Sequence, residues 1–198
     1  MNDGSLTLGL PTKLMIDSSL VAGRLTDIVA AVLRGYRIPP EGLHGVAHWG
    51  RVLENGLRLV EQTEADVEVV SLFAVLHDAR RLNEGHDPDH GARGAQLARR
   101  LRGTVLELPD EPFELLCRAC EGHTHERTHP DVTIQTCWDA DRLDLGRVGI
   151  EPEPDRLCTE AARHPEMIRW ADRRACRNVI PDFVAMTWKL DLNAIDAD

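Results

Sequence analysis

Histidine and aspartate side chains follow apolar segments in the middle of this sequence. The clearest case is His77-Asp78, which comes directly after the apolar stretch of residues 69–76 with no turn signal between them. An ionised carboxylate in such a buried setting costs on the order of several kcal/mol unless it is paired with a cation or binds a metal ion. The segment therefore indicates a positively charged partner for Asp78.

Potential ligands also border the apolar faces of other predicted helices. At about 100° per residue, His77 continues the apolar face of its own helix, and Asp78 lies on the neighbouring face. The same helical period places four further candidate metal ligands at or just beyond the edge of an apolar stripe: His48, His90, His123 and Asp141. Of the three acids in the segment DADRLD, Asp141 is the inward one, whereas Asp139 falls well off that face and Asp144 lies at its edge.

Each of these residues alone also fits a role in a folded core. A histidine on an apolar face can be a hydrogen-bonded core residue, and a buried aspartate can cap a helix or pair with Arg51, Arg80 or Arg142. The combination is harder to explain in this way, because four or five helices each offer an imidazole or a carboxylate. Such a mixed ligand set suits a divalent ion of Mn, Fe, Co, Ni, Zn or Mg. The sequence therefore predicts a metal site between helices.

The elements that must position these residues are helices throughout. Caps, helix breakers and the spacing of apolar residues predict helices over residues 17–34, 44–61, 64–81, 90–102, 109–122 and 132–146, with one or two short helices up to residue 176. No segment alternates apolar and polar residues as a half-buried strand would. The fold class is therefore all-α, a multi-helix bundle of residues 18–180 between an N-terminal extension, residues 1–17, and a C-terminal tail, residues 181–198.

Charge and cysteine content narrow the partners. The 198 residues carry a formal net charge of −10, which argues against a nucleic acid polymer, since phosphate contacts need a basic face. The apolar stretches are too short for a membrane span, and the N-terminus lacks the pattern of a signal peptide. Five cysteines without regular spacing suggest reduced thiols, so we expect a cytoplasmic protein, either a monomer or a homo-oligomer. Cys117 and Cys120 lie mid-helix without a second pair, which favours core packing over a zinc site.

Three segments, taken in order, resemble the HD superfamily of metal-dependent phosphohydrolases. They are HWGRV from His48, the doublet His77-Asp78, and ADRL around Asp141. The resemblance spans roughly residues 44–146 and implies a stand-alone HD domain. It also implies that His48, His77, Asp78 and Asp141 hold one divalent ion, which would lower the pKa of a bound water and polarise a phosphoryl oxygen.

Further histidines match those branches of the superfamily that hold two metal ions bridged by the aspartate of the doublet. In this chain they are His90, His123 and His125. The two-metal branches include phosphodiesterases of cyclic nucleotides and cyclic dinucleotides, and diiron oxygenases resembling inositol oxygenase. The resemblance therefore leaves the number of metal ions open at one or two, with Asp78 as the bridge in the second case.

Residues around the doublet supply the catalytic candidates beside Asp78 itself. Arg80 and Arg81 carry guanidinium groups that match phosphate geometry, although they could equally complement the dipole at a helix end. His44 could reach a substrate or cap a helix. Nucleotidase-like branches often carry an acid shortly after the doublet, whereas the nearest acid here is Glu84, so the general base stays open.

Together, the residues and the resemblance predict hydrolysis of a phosphoester in a small anionic substrate, either a phosphorylated metabolite or a nucleotide. Two other functions are compatible with the same residues. One is a dinuclear iron oxygenase, which the additional histidines favour. The other is a non-catalytic domain that keeps its metal for folding or for sensing a ligand.

Overall fold

Ten α-helices make up most of the chain that the computed structural model describes, residues 16–190. They are α1 (Ser18–Arg24), α2 (Thr26–Leu33), α3 (Val46–Val60), α4 (Val67–Leu76), α5 (His90–Leu101), α6 (Asp110–Gly122), α7 (Val132–Arg142), α8 (Glu160–Arg163), α9 (Pro165–Cys176) and α10 (Asp182–Met186). Two short 3-10 helices, Leu145–Val148 and Pro154–Arg156, connect α7 to α8. The described residues contain no β-strand, so the all-α prediction is confirmed.

Aspartate side chains begin three of these helices. Asp17, Asp66 and Asp131 each accept hydrogen bonds from two backbone N–H groups in the first turn of α1, α4 and α7. These N–H groups have no partner within the helix, so a carboxylate at this position stabilises the helix by about 0.5–2 kcal/mol. The caps fix where α4 and α7 start, and both helices lead to residues of the metal centre described below.

Helix α4 forms the middle of the bundle because it is apolar on every side. All residues from Val69 to Leu76 are buried, and the helix contacts α2, α3, α5, α6 and α7. A helix that is apolar all round belongs inside a protein. Trp49 on α3 and Trp138 on α7 are fully buried beside it, and Cys117 and Cys120 on α6 are buried as predicted. The central helix therefore ends among its neighbours rather than at the surface.

Several predicted helix boundaries differ from the structure. The first helix is interrupted at Leu25, where the Thr26 hydroxyl donates to the carbonyl of Gly23. Helix α3 begins at Val46, so His44 precedes it. Helices α4 and α7 end earlier than predicted, at Leu76 and Arg142. After the last regular α4 bond, from His77 N to Phe73 O, the backbone bonds span three residues instead of four.

Two glycines allow α5 to approach its neighbours closely. A Cβ atom on Gly94 would overlap the backbone carbonyl of Leu76 at the end of α4. A Cβ atom on Gly91 would overlap the carbonyl of Cys120 on α6. Because neither position has a side chain, the start of α5 lies against both helices, and His90 is held over the end of α4.

The chain beyond residue 180 is part of the core as far as the structure describes it, although the sequence assigns it to a tail. Phe183, Val184 and Trp188 are buried, and the Trp188 indole N–H donates to the carbonyl of Ala22 at 2.9 Å. The predicted N-terminal extension, except for its last two residues, and the acidic end, residues 191–198, lie outside the described residues. Between residues 16 and 190, every helix is too short or too polar to cross a bilayer.

Candidate metal centre

Four side chains from three parts of the bundle meet at the end of α4. His48 comes from α3, His77 and Asp78 from the turn after α4, and Asp141 from the last turn of α7. His48 Nε2 lies 3.1 Å from His77 Nε2, 3.6 Å from Asp78 Oδ2 and 3.5 Å from Asp141 Oδ1. Ligands at about 2.1 Å from one shared ion lie roughly 3.0–3.4 Å apart. The spacing of the two histidines falls in this range, and the two carboxylate oxygens lie slightly beyond it. The four predicted ligands are therefore close together.

A second group forms on the other oxygen of Asp78. His90 Nε2 lies 3.0 Å from Asp78 Oδ1, and His123 Nε2 lies 4.0 Å from the same oxygen. The two histidine nitrogens are 2.8 Å apart. Asp78, His90 and His123 are all buried. Asp78 therefore faces one group of ligands with each of its carboxylate oxygens, and each group could hold a metal ion.

All four histidines of the two groups turn Nε2 toward the other ligands. Each Nδ1 faces an oxygen that accepts a hydrogen bond: Asp144 Oδ2 for His48 (2.7 Å), Phe73 O for His77 (3.1 Å), Asp87 O for His90 (2.5 Å) and Cys120 O for His123 (2.7 Å). Since those oxygens can only accept, Nδ1 carries the proton and Nε2 carries a lone pair. The Nε2 lone pairs of His48 and His77 therefore face each other, and so do those of His90 and His123. A cation between the two nitrogens of each pair would stabilise this arrangement. Metal-binding histidines commonly have such outer partners.

Burial and charge set the ionisation of this centre. Burial lowers the pKa of His48 well below its usual range and that of His123 to about 4, so both rings are neutral at pH 7. Burial alone would raise the pKa of Asp141, but His77, Arg147 and His48 outweigh it and lower that pKa to about 2. Burial would also raise the pKa of Asp78, but His77, His90 and His48 outweigh it and hold that pKa well below its usual value. Burial would lower the pKa of His90, but the hydrogen bond and the negative charge of Asp78 outweigh it, so the pKa of this ring is raised. Neutral imidazoles and ionised carboxylates are the forms that bind metal ions.

One atom of the centre has no hydrogen-bond partner among residues 16–190. Asp141 Oδ1 is buried and accepts no hydrogen bond from any described residue. A buried, ionised oxygen without a donor costs about 1–3 kcal/mol or more. A divalent cation among His48, His77 and Asp141 would satisfy this oxygen. The donor set therefore fits a metal ion both in its chemistry and in what it leaves unsatisfied.

No protein-family model, no curated protein and no solved structure matches this chain.

Asp144 supports the centre from behind His48. It accepts from His48 Nδ1 and from Arg51, whose Nε lies 2.7 Å from Oδ1 and whose Nη2 lies 3.0 Å from Oδ2. Arg51 is buried and also donates to Asn178 and Val179, which lie after α9. Sequence reasoning missed this role of Asp144, because it extended α7 to residue 146 and so set Asp144 at the edge of the inward face. The pairing of a histidine and an arginine three residues apart on α3 was the available signal.

Of the two arginines after the doublet, the structure brings one to the centre. Arg81 is buried, and its Nη1 lies 3.4 Å from Asp78 Oδ1. Its other nitrogens donate to the carbonyls of Asn83 and Gly85. Arg80 instead donates to the carbonyls of Val32 and Ala79 and lines a separate cleft. The proposed catalytic role of Arg80 is therefore not supported, because the turn after Asp78 directs the two side chains differently.

His44 and Glu84 form a pair beside the first group of ligands. His44 Nδ1 lies 2.5 Å from Glu84 Oε2, and the His44 ring stands edge-on to His48 with 6.3 Å between centroids. Glu84 Oε1 is buried without a hydrogen-bond partner among the described residues. Tyr36 donates to the backbone carbonyl of His44 at 2.7 Å and holds this segment in place. The acid that sequence reasoning noted after the doublet thus contacts the predicted catalytic histidine.

A cleft of about 380 Å³ reaches the centre from the surface, between the segment after α6 and the connection after α7. His123 and Asp141 line its inner part, and His125, Arg127 and Arg156 are among the residues that line it farther out. His125 is exposed and belongs to neither ligand group, so the structure does not support it as a ligand of a second metal. Positive charge in the cleft contrasts with the net charge of the chain, −10.

Proposed function

We propose that this protein is a metal-dependent phosphohydrolase of the HD type, acting on a small phosphorylated metabolite or nucleotide. The observation that carries the proposal is the position of Asp78, which offers one carboxylate oxygen to His48 and His77 and the other to His90 and His123. A carboxylate shared in this way suits two divalent ions a few ångströms apart, an arrangement that stabilises both the attacking and the leaving oxygens in phosphoryl transfer.

The residues of the centre would bind the metal ions, and the hydrogen-bond acceptors around them orient the histidine rings. His48, His77, Asp78 and Asp141 would hold one ion, and Asp78, His90 and His123 the other. Divalent ions bound there would polarise a phosphoryl oxygen and lower the pKa of a bound water. The Nδ1 hydrogen bonds keep the four imidazole rings turned inward before any ligand binds. Such preorganisation avoids rearrangement during the reaction.

The cleft favours an anionic substrate. Arg127 and Arg156 line it and are exposed, although Arg127 also donates to the carbonyl of Asp155 and Arg156 also pairs with Glu153. The acidic residue Glu126 lines the cleft as well, but it pairs with Arg118. Arg142 also lines the cleft, but its guanidinium donates to the backbone carbonyls of residues 126, 127 and 156 and shapes the wall. A volume of about 380 Å³ lies at the small end of ligand sites, which run from roughly 300 to 1,000 Å³. A small phosphate ester therefore matches the charge and the size of the cleft.

His44 does not line the cleft, but its ring lies beside that of His48, and we assign it to contact with the part of the substrate that reaches the centre. Glu84 fixes the ring through Nδ1, and Nε2 of His44 has no hydrogen-bond partner among the described residues. That nitrogen is free to bond to a substrate oxygen or to a water beside the centre. Arg81 has a different part, since its contacts with Asp78 and with the loop carbonyls of Asn83 and Gly85 position the shared carboxylate.

The test uses two neighbouring histidines as a matched pair. Protein purified without added metal or chelator is analysed for metal content. Metal-loaded protein is assayed on a broad panel of phosphomonoesters and phosphodiesters for release of phosphate or alcohol. We expect His123→Gln to lose one of two ions and most of the activity, whereas His125→Gln keeps both metal ions, since His125 belongs to neither ligand group. If fully loaded protein releases neither phosphate from any monoester nor alcohol from any diester, hydrolysis is rejected while the metal centre stands.

A dinuclear iron oxygenase is the second candidate, and the same shared position of Asp78 favours it. Both candidates use two ions, so metal content alone does not separate them. Oxygen uptake by ferrous-loaded protein with a panel of small alcohols and phosphonates separates them, because hydrolysis consumes no oxygen. Substrate-dependent oxygen uptake, without release of phosphate or alcohol from any phosphoester, would replace the hydrolase proposal with this one.

A further inference from the structure

A second cleft, of about 340 Å³, is lined by four arginines and by no acidic residue. The arginines are Arg37, Arg80, Arg93 and Arg100. Positive charges that line one cleft repel one another. A local excess of positive charge is also unexpected in a chain with a net charge of −10. The cleft does not share a lining residue with the cleft that reaches the metal centre.

Three elements bring the four guanidinium groups together. Arg37 lies in the segment after α2, and Arg80 lies in the turn after α4. Arg93, Gln96 and Arg100 lie on α5 at spacings of three and four residues, which sets them on one face of the helix. The cleft is therefore assembled by the fold and is not a run of basic residues in the sequence.

Two of the arginines are anchored, and two are not. Arg80 Nη1 donates to the carbonyls of Val32 and Ala79, at 3.0 and 2.7 Å. Arg93 Nε donates to the carbonyl of Arg80, and its Nη2 pairs with Asp87. Arg37 and Arg100 are exposed, and neither pairs with a carboxylate of the described residues. The anchored groups keep further N–H donors for a ligand, and the exposed groups can close over it.

The positive charges of the four arginines in the cleft repel one another. An anion among the guanidinium groups would relieve this repulsion. Guanidinium groups bind phosphate oxygens through paired N–H donors. Four such groups exceed what one phosphate needs and match an anion with at least two phosphoryl groups.

We infer that the cleft between Arg37, Arg80, Arg93 and Arg100 is a binding site for a small polyphosphate anion, distinct from the metal centre. The recognised chemistry is a pyrophosphoryl group, either free or carried by a nucleoside. This inference does not rest on the proposed hydrolase activity, because its readout is binding and no turnover is needed.

The test is calorimetric titration of the full-length protein with methylenediphosphonate, a pyrophosphate analogue that resists hydrolysis. Three proteins are compared: the unmodified chain, the double variant Arg37→Gln/Arg100→Gln, and the control Arg169→Gln/Arg177→Gln. The control removes two equally exposed arginines from the region of α9 and so has the same net charge as the test variant. We expect the control to bind like the unmodified chain and the test variant to bind at least about tenfold more weakly.

Two outcomes would overturn the site. Equal affinity in all three proteins would mean that the diphosphonate binds elsewhere, including at the metal centre. An absence of diphosphonate binding to the unmodified chain would also overturn the site. A parallel titration with the α,β-methylene analogue of a nucleoside diphosphate identifies the source of the anion. Tighter binding of the nucleotide analogue indicates a nucleotide, and the reverse order indicates free polyphosphate.

Discussion

Nδ1 of His48 lies 2.7 Å from Oδ2 of Asp144, and this contact fixes the direction of the other ring nitrogen. Asp144 is fully buried, and both of its oxygens are also bonded to Arg51. The carboxylate is thus held in place by a cation on the same helix as the histidine that it orients. Through this contact Asp144 determines which nitrogen of His48 faces His77.

We expect Asp144→Asn to weaken metal binding although it removes no ligand. The amide offers one acceptor where the carboxylate offers two, so the hydrogen bonds from His48 and Arg51 cannot all be kept. Loss of such an outer partner typically costs about 10–100-fold in metal affinity. Competition of the purified variant against a metal-binding dye gives the change in affinity.

Asp139→Asn is the matched control for this experiment. Asp139 is also buried and lies on α7, but it accepts from the backbone N–H groups of Cys158 and Thr159 and from the Thr159 hydroxyl. We expect this variant to unfold more easily, by about 1–3 kcal/mol, with the affinity of the folded protein for metal unchanged. If both variants lose affinity equally, the effect comes from destabilisation and not from the orientation of His48.

The pair of His44 and Glu84 yields a prediction about activity. His44→Gln should lower kcat for the phosphoester that the screen identifies by about tenfold, the effect of one lost hydrogen bond of roughly 1.4 kcal/mol to a charged group. Glu84→Gln should lower kcat less, because the ring stays present but is oriented more weakly. Metal content should not change in either variant, since neither residue belongs to a ligand group.

His86→Gln is the control for the His44 and Glu84 variants. His86 is exposed in the same loop as Glu84, so its replacement should leave both kcat and metal content unchanged. A loss of metal in His44→Gln would show that His44 supports the centre itself, and its assignment to substrate contact would then be wrong.

The sequence predicted which side chains meet at the end of α4 better than it predicted the residues that surround them. His48, His77 and Asp141 continue apolar faces of helices, and that pattern follows directly from the helical period. Asp78 was placed on a helix that in fact ends at Leu76. Its position still came out right, because the first residues after a helix keep nearly the same direction. Periodicity was wrong for Asp139, however, which it set well off the inward face of α7 but which is fully buried and bonded to the backbone of Cys158 and Thr159.

The outer residues depended on turns that periodicity does not describe. Arg80 and Arg81 are adjacent and equivalent in the sequence, yet the turn after Asp78 sends Arg81 to the centre and Arg80 to the second cleft. Asp144 was missed for a similar reason, since α7 ends at Arg142 and a 3-10 helix follows. Hydrogen bonds between distant segments decide such turns, and those contacts exist only in the folded chain.

The burial of the cysteines leads to a prediction about thiol reactivity. Burial raises the pKa of Cys117 to about 11, and it raises those of Cys120 and Cys137 well above their usual value. The thiolate is the reactive form, so these three should resist alkylation of the native protein at pH 8. Cys176 is exposed and should be alkylated first, which mass spectrometry of digested protein would detect.

A reactive Cys117 or Cys120 in the native protein would contradict the packing of α6. Labelling in denaturant provides the reference, because all five thiols are then accessible. Prior loading with Zn²⁺ is a further control. Since Cys117 and Cys120 are core residues here and not metal ligands, zinc should leave the labelling pattern of both unchanged.

Replacement of Gly94 tests the contact that holds His90 in place. A Cβ atom at this position would overlap the carbonyl oxygen of Leu76, and overpacking of this kind costs about 1–3 kcal/mol. The higher helix propensity of alanine returns roughly 1 kcal/mol. Because the overlapped atom belongs to the backbone and cannot rotate away, we expect Gly94→Ala to lose about 1–2 kcal/mol in urea unfolding. The second metal ion should also bind more weakly, since α5 carries His90.

Gly85→Ala is the matched replacement for Gly94→Ala. A Cβ atom at Gly85 would meet only the Asn83 side chain, at 3.5 Å, and exposed changes of this kind stay within about 0.5 kcal/mol. Equal unfolding midpoints for the two variants would mean that α5 does not lie against the end of α4. A lower midpoint for Gly94→Ala with both metal ions retained would mean that His90 reaches Asp78 independently of that packing.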